Sequence, residues 1–460
     1  MTRLVLHSTL RNIRLWLAAG PLIALTTAVL VAVFSMRTVG GDLEAEEVGL
    51  MDNYLATMLA LTLVAALGST AVAVDRAASR SRQRIGRFSL VGLSPTYAMT
   101  LFYHQIVALA CLFVAVGLAV GAWITPAAIQ VIVRASSGHV GVTGHVDTHA
   151  LVGAAVIALG VAIIGSVRGA QVARSVQPVE AVKPLPWAPR RSARVKTVAS
   201  LASALGVVAT AIACCLLPAR QAYTGRPIAA ANAVVIAGGL MTAFMAVLFA
   251  LTANLYCPVL IRAWTIILPE NHAPTLLLGR RGSAYQAARS LHSFNLVLVG
   301  CLIVGAGTSI YFARSSMEPA GRGWVAARDM SSAVLGAVPV GFALTASVLV
   351  VAITARNRFA EAQTLRLVGA TPRQILLTGA FEAAILAVTA TVVGYIGQVV
   401  VALVVGASMA RIAGGPGWPE ALGFDWIVWV APLGVTVLGM ALVTVTSLPS
   451  LVRGLRHPVF

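Results

Sequence analysis

The chain has 460 residues, of which 58% are hydrophobic and 10% charged, and its net charge is +18. A soluble domain needs about a quarter of its residues charged to cover its surface, so a water-soluble fold is excluded. A nucleic-acid-binding role is excluded with it, because no soluble basic domain exists to host one.

Ten apolar runs follow one another, at about 15–35, 54–74, 100–125, 149–167, 198–217, 231–256, 292–313, 333–354, 380–407 and 428–448. Each is near the ~20 residues that span a hydrocarbon core. They lack the period-2 alternation of barrel strands, and in lipid the backbone must be satisfied within the segment, so helices are expected. The predicted fold is an all-α membrane protein of about ten transmembrane helices. The first run follows Arg3, Arg11 and Arg14 as a signal sequence would. It is too long for one and lacks a small-x-small cleavage site, so it reads as an uncleaved span.

The basic residues set the orientation. With the termini and alternate loops inside, 25 of the 33 Lys and Arg fall on the inner side. Asp42, Glu44, Glu46, Glu47 and Asp52 all fall in the first outer loop. Both termini are therefore expected in the cytoplasm, with the basic excess also meeting anionic lipid. Cys111, Cys214, Cys215, Cys257 and Cys301 lie in or at the ends of apolar runs. No disulfide is expected between them.

One short pattern occurs twice. Arg80 to Gln105 and Asn357 to Glu382 overlay at a constant shift of 277. Leu90-Val91-Gly92 falls on Leu367-Val368-Gly369, Ser94-Pro95 on Thr371-Pro372, and Gln105 on Glu382. Arg174 to Pro178 similarly resembles Arg453 to Pro458. The chain thus reads as an arm at 1–14, a four-span unit at 15–178 with loop 75–99, a two-span linker unit at 179–291, and a second four-span unit at 292–460 with loop 355–379. Equivalent loops are separated by an even number of spans, so the repeat is parallel.

Within each loop, Ser or Thr before Pro signals a helix start: the hydroxyl caps free N–H groups and Pro takes the first helical position. Ser94 and Thr371 are expected to begin short helices. Gly92 and Gly369 suit the left-handed turn that ends a preceding helix. Leu90, Val91, Leu365, Leu367 and Val368 are apolar in otherwise polar loops. They need either a partner or a place in the lipid interface.

The later copy resembles the FtsX/MacB-type permease family. Its residues Glu361, Leu365-Arg366, Gly369-Ala370-Thr371, Gln374-Ile375 and Glu382 stand in the family's order. The earlier copy departs, with Arg84 in place of the Glu, Thr96 in place of Arg373 and Gln105 in place of Glu382. The ten-span layout is similar to the BceB-like branch, in which one permease chain is served by two ATPase copies.

The resemblance implies that these loops are coupling helices contacting a separate cytoplasmic ABC ATPase. The contacts would be Leu90, Val91, Gly92, Ser94, Pro95 and Tyr97 in the first loop. In the second they would be Leu365, Arg366, Gly369, Thr371, Pro372, Arg373, Gln374 and Ile375. Arg358 and Glu361 would be electrostatic partners or intraloop braces. It also implies a bacterial cytoplasmic membrane, and movement or extraction of a lipophilic or peptide substrate, as in drug efflux and antibiotic resistance. Loops 36–53 and 314–332, where such proteins carry a large outer domain, are too short to fold alone. A signalling subunit that moves no substrate is the alternative within the family, and an ion-coupled secondary transporter the alternative outside it.

No catalytic chemistry is expected. The chain has two lysines, Lys183 and Lys196, neither in a phosphate-binding loop, so ATP and Mg would bind the partner and no cofactor this chain. His139, His145 and His149 with Asp147 read as solvated residues, so no metal site is predicted. Glu382 and Gln105, at the inner ends of spans, are expected to brace the loops. Tyr395 and Gln398 lie deeper and are candidates for contact with substrate, although polar residues there commonly join helices. Gly117 and Gly121 are expected to mark close helix packing.

Overall fold

A computed structural model describes residues 20–39, 94–137, 145–174, 192–222, 227–267, 274–289, 292–315 and 364–412, with isolated positions within 59–78 and 430–437. Eight helices are defined among them. They are α1 (Gly20–Val39), α2 (Pro95–Ser137), α3 (Thr148–Arg174), α4 (Ser192–Ala222), α5 (Pro227–Thr265), α6 (Pro274–Arg289), α7 (His292–Ser315) and α8 (Pro372–Met409). No strand occurs among the described residues.

Five segments among the described residues are long and apolar enough to cross a membrane: Phe102–Gln130, Thr148–Gln171, Thr197–Pro218, Ala230–Thr265 and Pro372–Met409. Gly20–Met36 and Val297–Ile310 are shorter apolar helices. The fold is an all-α membrane protein. The runs expected at 333–354 and, apart from isolated positions, at 54–74 and 428–448 lie outside the described residues.

The chain divides into two compact units, Met1–Ala193 with Trp324–Ser331, and Arg194–Gly323 with Ser332–Phe460. In the first, α1, α2 and α3 pack on one another. The seam between α1 and α2 includes points of close backbone approach at small residues. A Cβ at Gly117 would lie 2.5 Å from the Ala24 carbonyl oxygen, and one at Gly121 3.0 Å from the Ala28 Cα. Lipid offers no hydrophobic drive for helix association, so close backbone approach through glycine supplies the van der Waals contact instead. On α3, Gly165 and Gly169 likewise admit Thr70 and Val74.

In the second unit α7 and α8 form the central pair, and α5 packs on both. Cys257 and Ile261 of α5 meet Phe294, Leu298 and Cys301 of α7 and Ile385 and Ala390 of α8. Farther along, Met241 and Met245 meet Leu302, Ala306, Val401 and Val405. Polar links also cross these seams: Trp264 Nε1 donates to Thr389 Oγ1 (3.0 Å), Asn295 Nδ2 to the Ala250 carbonyl (3.0 Å), and Gln398 Nε2 to Ser309 Oγ (3.4 Å). Other buried hydroxyls, such as Thr27, Thr242 and Thr308, donate to their own helix's carbonyls, which satisfies them where no water is available.

The sixth helix was not foreseen in the sequence. It is 16 residues long and too basic to cross the bilayer, and it packs on α5 and α8.

Candidate coupling site

The later repeated loop is built by two end-signals placed back to back. A helical turn at 364–367 closes where the Gly369 N–H donates to the Arg366 carbonyl (2.9 Å) and the Ala370 N–H to the Leu365 carbonyl (3.0 Å). These two bonds make a Schellman C-cap, which requires a left-handed residue at its centre. Gly369 has φ +95°, and no other described residue has positive φ. Thr371 follows with extended backbone (φ −70°, ψ 154°) and starts α8. Its hydroxyl accepts the Gln374 N–H (3.3 Å), while Gln374 Oε1 accepts the Thr371 N–H (2.9 Å). That reciprocal capping box satisfies two backbone donors that a helix start leaves open, and Pro372 at the first position has no N–H to satisfy.

A small apolar centre holds the turn. Ile375 is 4% exposed and packs against Leu365, Ala370 and Leu376. Leu367 and Val368 point the other way, 68% and 83% exposed, beside exposed Thr371, Pro372, Arg373 and Gln374. Of the residues expected to contact an ATPase, Ile375 lies inside the turn, and Leu365 and Arg366 are half-buried.

The earlier loop repeats the cap and omits the box. Ser94 Oγ accepts the Tyr97 N–H at 3.3 Å, the same bond 277 residues earlier, with Pro95 opening α2. Tyr97 stands where Gln374 would, so its side chain has no amide to return the bond. Ser94 and Tyr97 are exposed. Leu90, Val91, Gly92, Arg358 and Glu361 lie outside the described residues.

In both copies the cap opens the long helix itself, 43 residues in α2 and 38 in α8. The separate short helices expected at Ser94 and Thr371 are absent, because each first turn runs straight on into the long helix; the next proline in α2, Pro126, lies far beyond the cap.

The equivalent residues behind the caps differ in setting. Gln105 is buried within the first unit. Glu382 is half-buried, and its carboxylate lies where a Cβ at Gly282 of α6 would be. It thus lies in the contact between α6 and α8, a placement legible only once α6 is known. Gln398 is 1% exposed between α7 and α8. Its amide fills the space left by Gly305, so it joins helices. Tyr395 is half-buried. Among the described residues no cluster of three metal-ligating side chains occurs.

Long apolar helices, two of them opened by exposed capped turns, define a multi-pass membrane protein. A family model, FtsX-like permease C-terminal, matches residues 56–178 and 331–459, more than half of the chain. The chain belongs to the FtsX-like permease family. No curated protein matches it.

Proposed function

We propose that this chain is the transmembrane subunit of an ATP-binding cassette transporter, driven by a separate cytoplasmic ATPase that docks on the two repeated loops. The observation carrying this reading is the Leu367–Val368 pair. Two large apolar side chains are held outward on a turn fixed by a Schellman cap on one side and a capping box on the other. A rigid apolar knob with a cationic neighbour, Arg373, suits a protein groove, since preorganisation lowers the entropic cost of binding.

The orientation rests on the basic inner loops: both termini and both coupling loops face the cytoplasm of a bacterial inner membrane. The two family-matched segments fall within the two four-span units, 15–178 and 292–460. Two ATPase copies would serve them, each with its own ATP and Mg. ATP-driven approach of the ATPases would shift the helices as rigid bodies between two arrangements.

The cargo on this reading is amphipathic, a lipid, peptide or lipophilic drug taken from the membrane, with efflux and antibiotic resistance as the physiological setting. Short outer loops favour this over a purely signalling subunit, since they leave little surface for an extracellular partner. Coexpression with a candidate ATPase tests it. Copurification, and ATPase stimulation that disappears on replacing Gly369 and Pro372, is the expected result. A chain that purifies alone and moves solute under a proton gradient would overturn it.

A further inference from the structure

The end of α5 and the helix α6 packed on it, together the α5–α6 elbow, share an unusual surface. Arg262 is exposed in the last turn of α5, followed by Ile266 and Ile267, the latter 85% exposed. On α6, Leu278 and Arg281 share the outward face one turn apart, and Arg280 is half-buried on the far flank. The opposite face is occupied. Thr275, Gly279 and Ser283 are buried, and a Cβ at Gly279 would lie 2.9 Å from the Phe381 Cβ of α8. The stretch from Arg262 to Arg289 holds four arginines and one acid, Glu270.

Exposed Ile and Leu beside exposed Arg, at the mouth of an apolar span, satisfy each other in one setting. The alkyl side chains enter the acyl layer and the guanidinium groups reach phosphates. Guanidinium forks also fit phosphate oxygens in pairs. We propose that the α5–α6 elbow binds the headgroup of an anionic phospholipid through Arg262, Arg280 and Arg281, with Ile266, Ile267 and Leu278 seated in the acyl region. This does not depend on the ATPase reading. It takes from that reading only the leaflet, the cytoplasmic one. Because Phe381 and Glu382 of α8 contact α6 between two and three turns beyond the capped start, lipid at the elbow bears on the helix that carries the coupling turn.

The test uses the full chain alone in neutral detergent, titrated with phosphatidylglycerol or phosphatidylcholine, with bound lipids counted by native mass spectrometry. Phosphatidylglycerol should bind at least about tenfold more tightly, and its binding should weaken as ionic strength rises from about 0.05 M to about 0.5 M. Arg262→Gln, Arg280→Gln and Arg281→Gln should each weaken it roughly fivefold, and Leu278→Gln should weaken both lipids. Arg411→Gln, beyond the far end of α8, should change nothing.

Equal binding of the two lipids, or indifference to salt, overturns the proposal. Both are read on the unmodified chain, so the proposal can fail even if the arginine variants misfold. Displacement of the lipid by millimolar inorganic phosphate would mark a site for free phosphate instead, and is likewise fatal. Loss of ATPase docking with lipid preference intact would sink the coupling reading and leave this one standing.

Discussion

Trp264 and Thr389 are joined by a 3.0 Å hydrogen bond from the indole N–H to a hydroxyl that itself donates to the Ile385 carbonyl at 2.7 Å. The link ties the last turn of α5 to α8. Thr389→Val keeps the shape and removes the acceptor, leaving a part-buried N–H without its bond. Thermal unfolding in detergent should show a loss of about 1–3 kcal/mol. Thr308→Val, which removes donation to its own helix at Val304 and Gly305, should change stability by about 0.5 kcal/mol or less.

Gly369 is left-handed, and any side chain there is strained by about 1–2 kcal/mol. Gly369→Ala should loosen residues 364–371, seen as faster amide exchange, while the melting of the spans stays unchanged. Gly369→Asn should fall between the two, since Asn tolerates this conformation better.

The two caps differ by one reciprocal bond, and their variants should differ accordingly. Removing either hydroxyl, Ser94→Ala or Thr371→Ala, costs about 1 kcal/mol of local stability. Only the second also dismantles a box. ATPase retention in pull-down should fall more for Thr371→Ala than for Ser94→Ala, and equal losses would contradict this.

Gly282 has the Glu382 carboxylate in the space of its missing side chain, whereas a Cβ at Gly160 would meet nothing within 4 Å among the described residues. Gly282→Leu should displace α6 from α8 and lower the melting temperature by several degrees, on the order of 1–3 kcal/mol. Gly160→Leu should be neutral in the same assay.

Much of this was legible in the residues. Runs of apolar side chains marked the spans in α2 to α5 and α8 and the shorter apolar helices of α1 and α7, because lipid leaves a helix no alternative pairing for its backbone. Gly369, Thr371 and Pro372 announced a turn and a helix start, since each of those roles is set by local chemistry. Gly117 and Gly121 announced the α1–α2 seam.

The failures came where partners are distant in sequence. The 16-residue α6 carries two adjacent arginines and no apolar run, and its buried stripe of Thr275, Gly279 and Ser283 has meaning only against Phe381 and Glu382, about a hundred residues later. The inward position of Ile375 followed from Leu365 folding back over it, which depends on the Schellman geometry. The continuity of α8 through its first turns was hidden because Arg373 and Gln374 are polar, and polarity looked like loop.

That continuity has a mechanical side. Thirty-eight residues of unbroken helix make a rod about 57 Å long, nearly twice the thickness of the hydrocarbon core. The capped turn is therefore the handle of a stiff shaft. Tilting the handle end by about 10° would carry the far end sideways by about 10 Å, without bending a single helical turn.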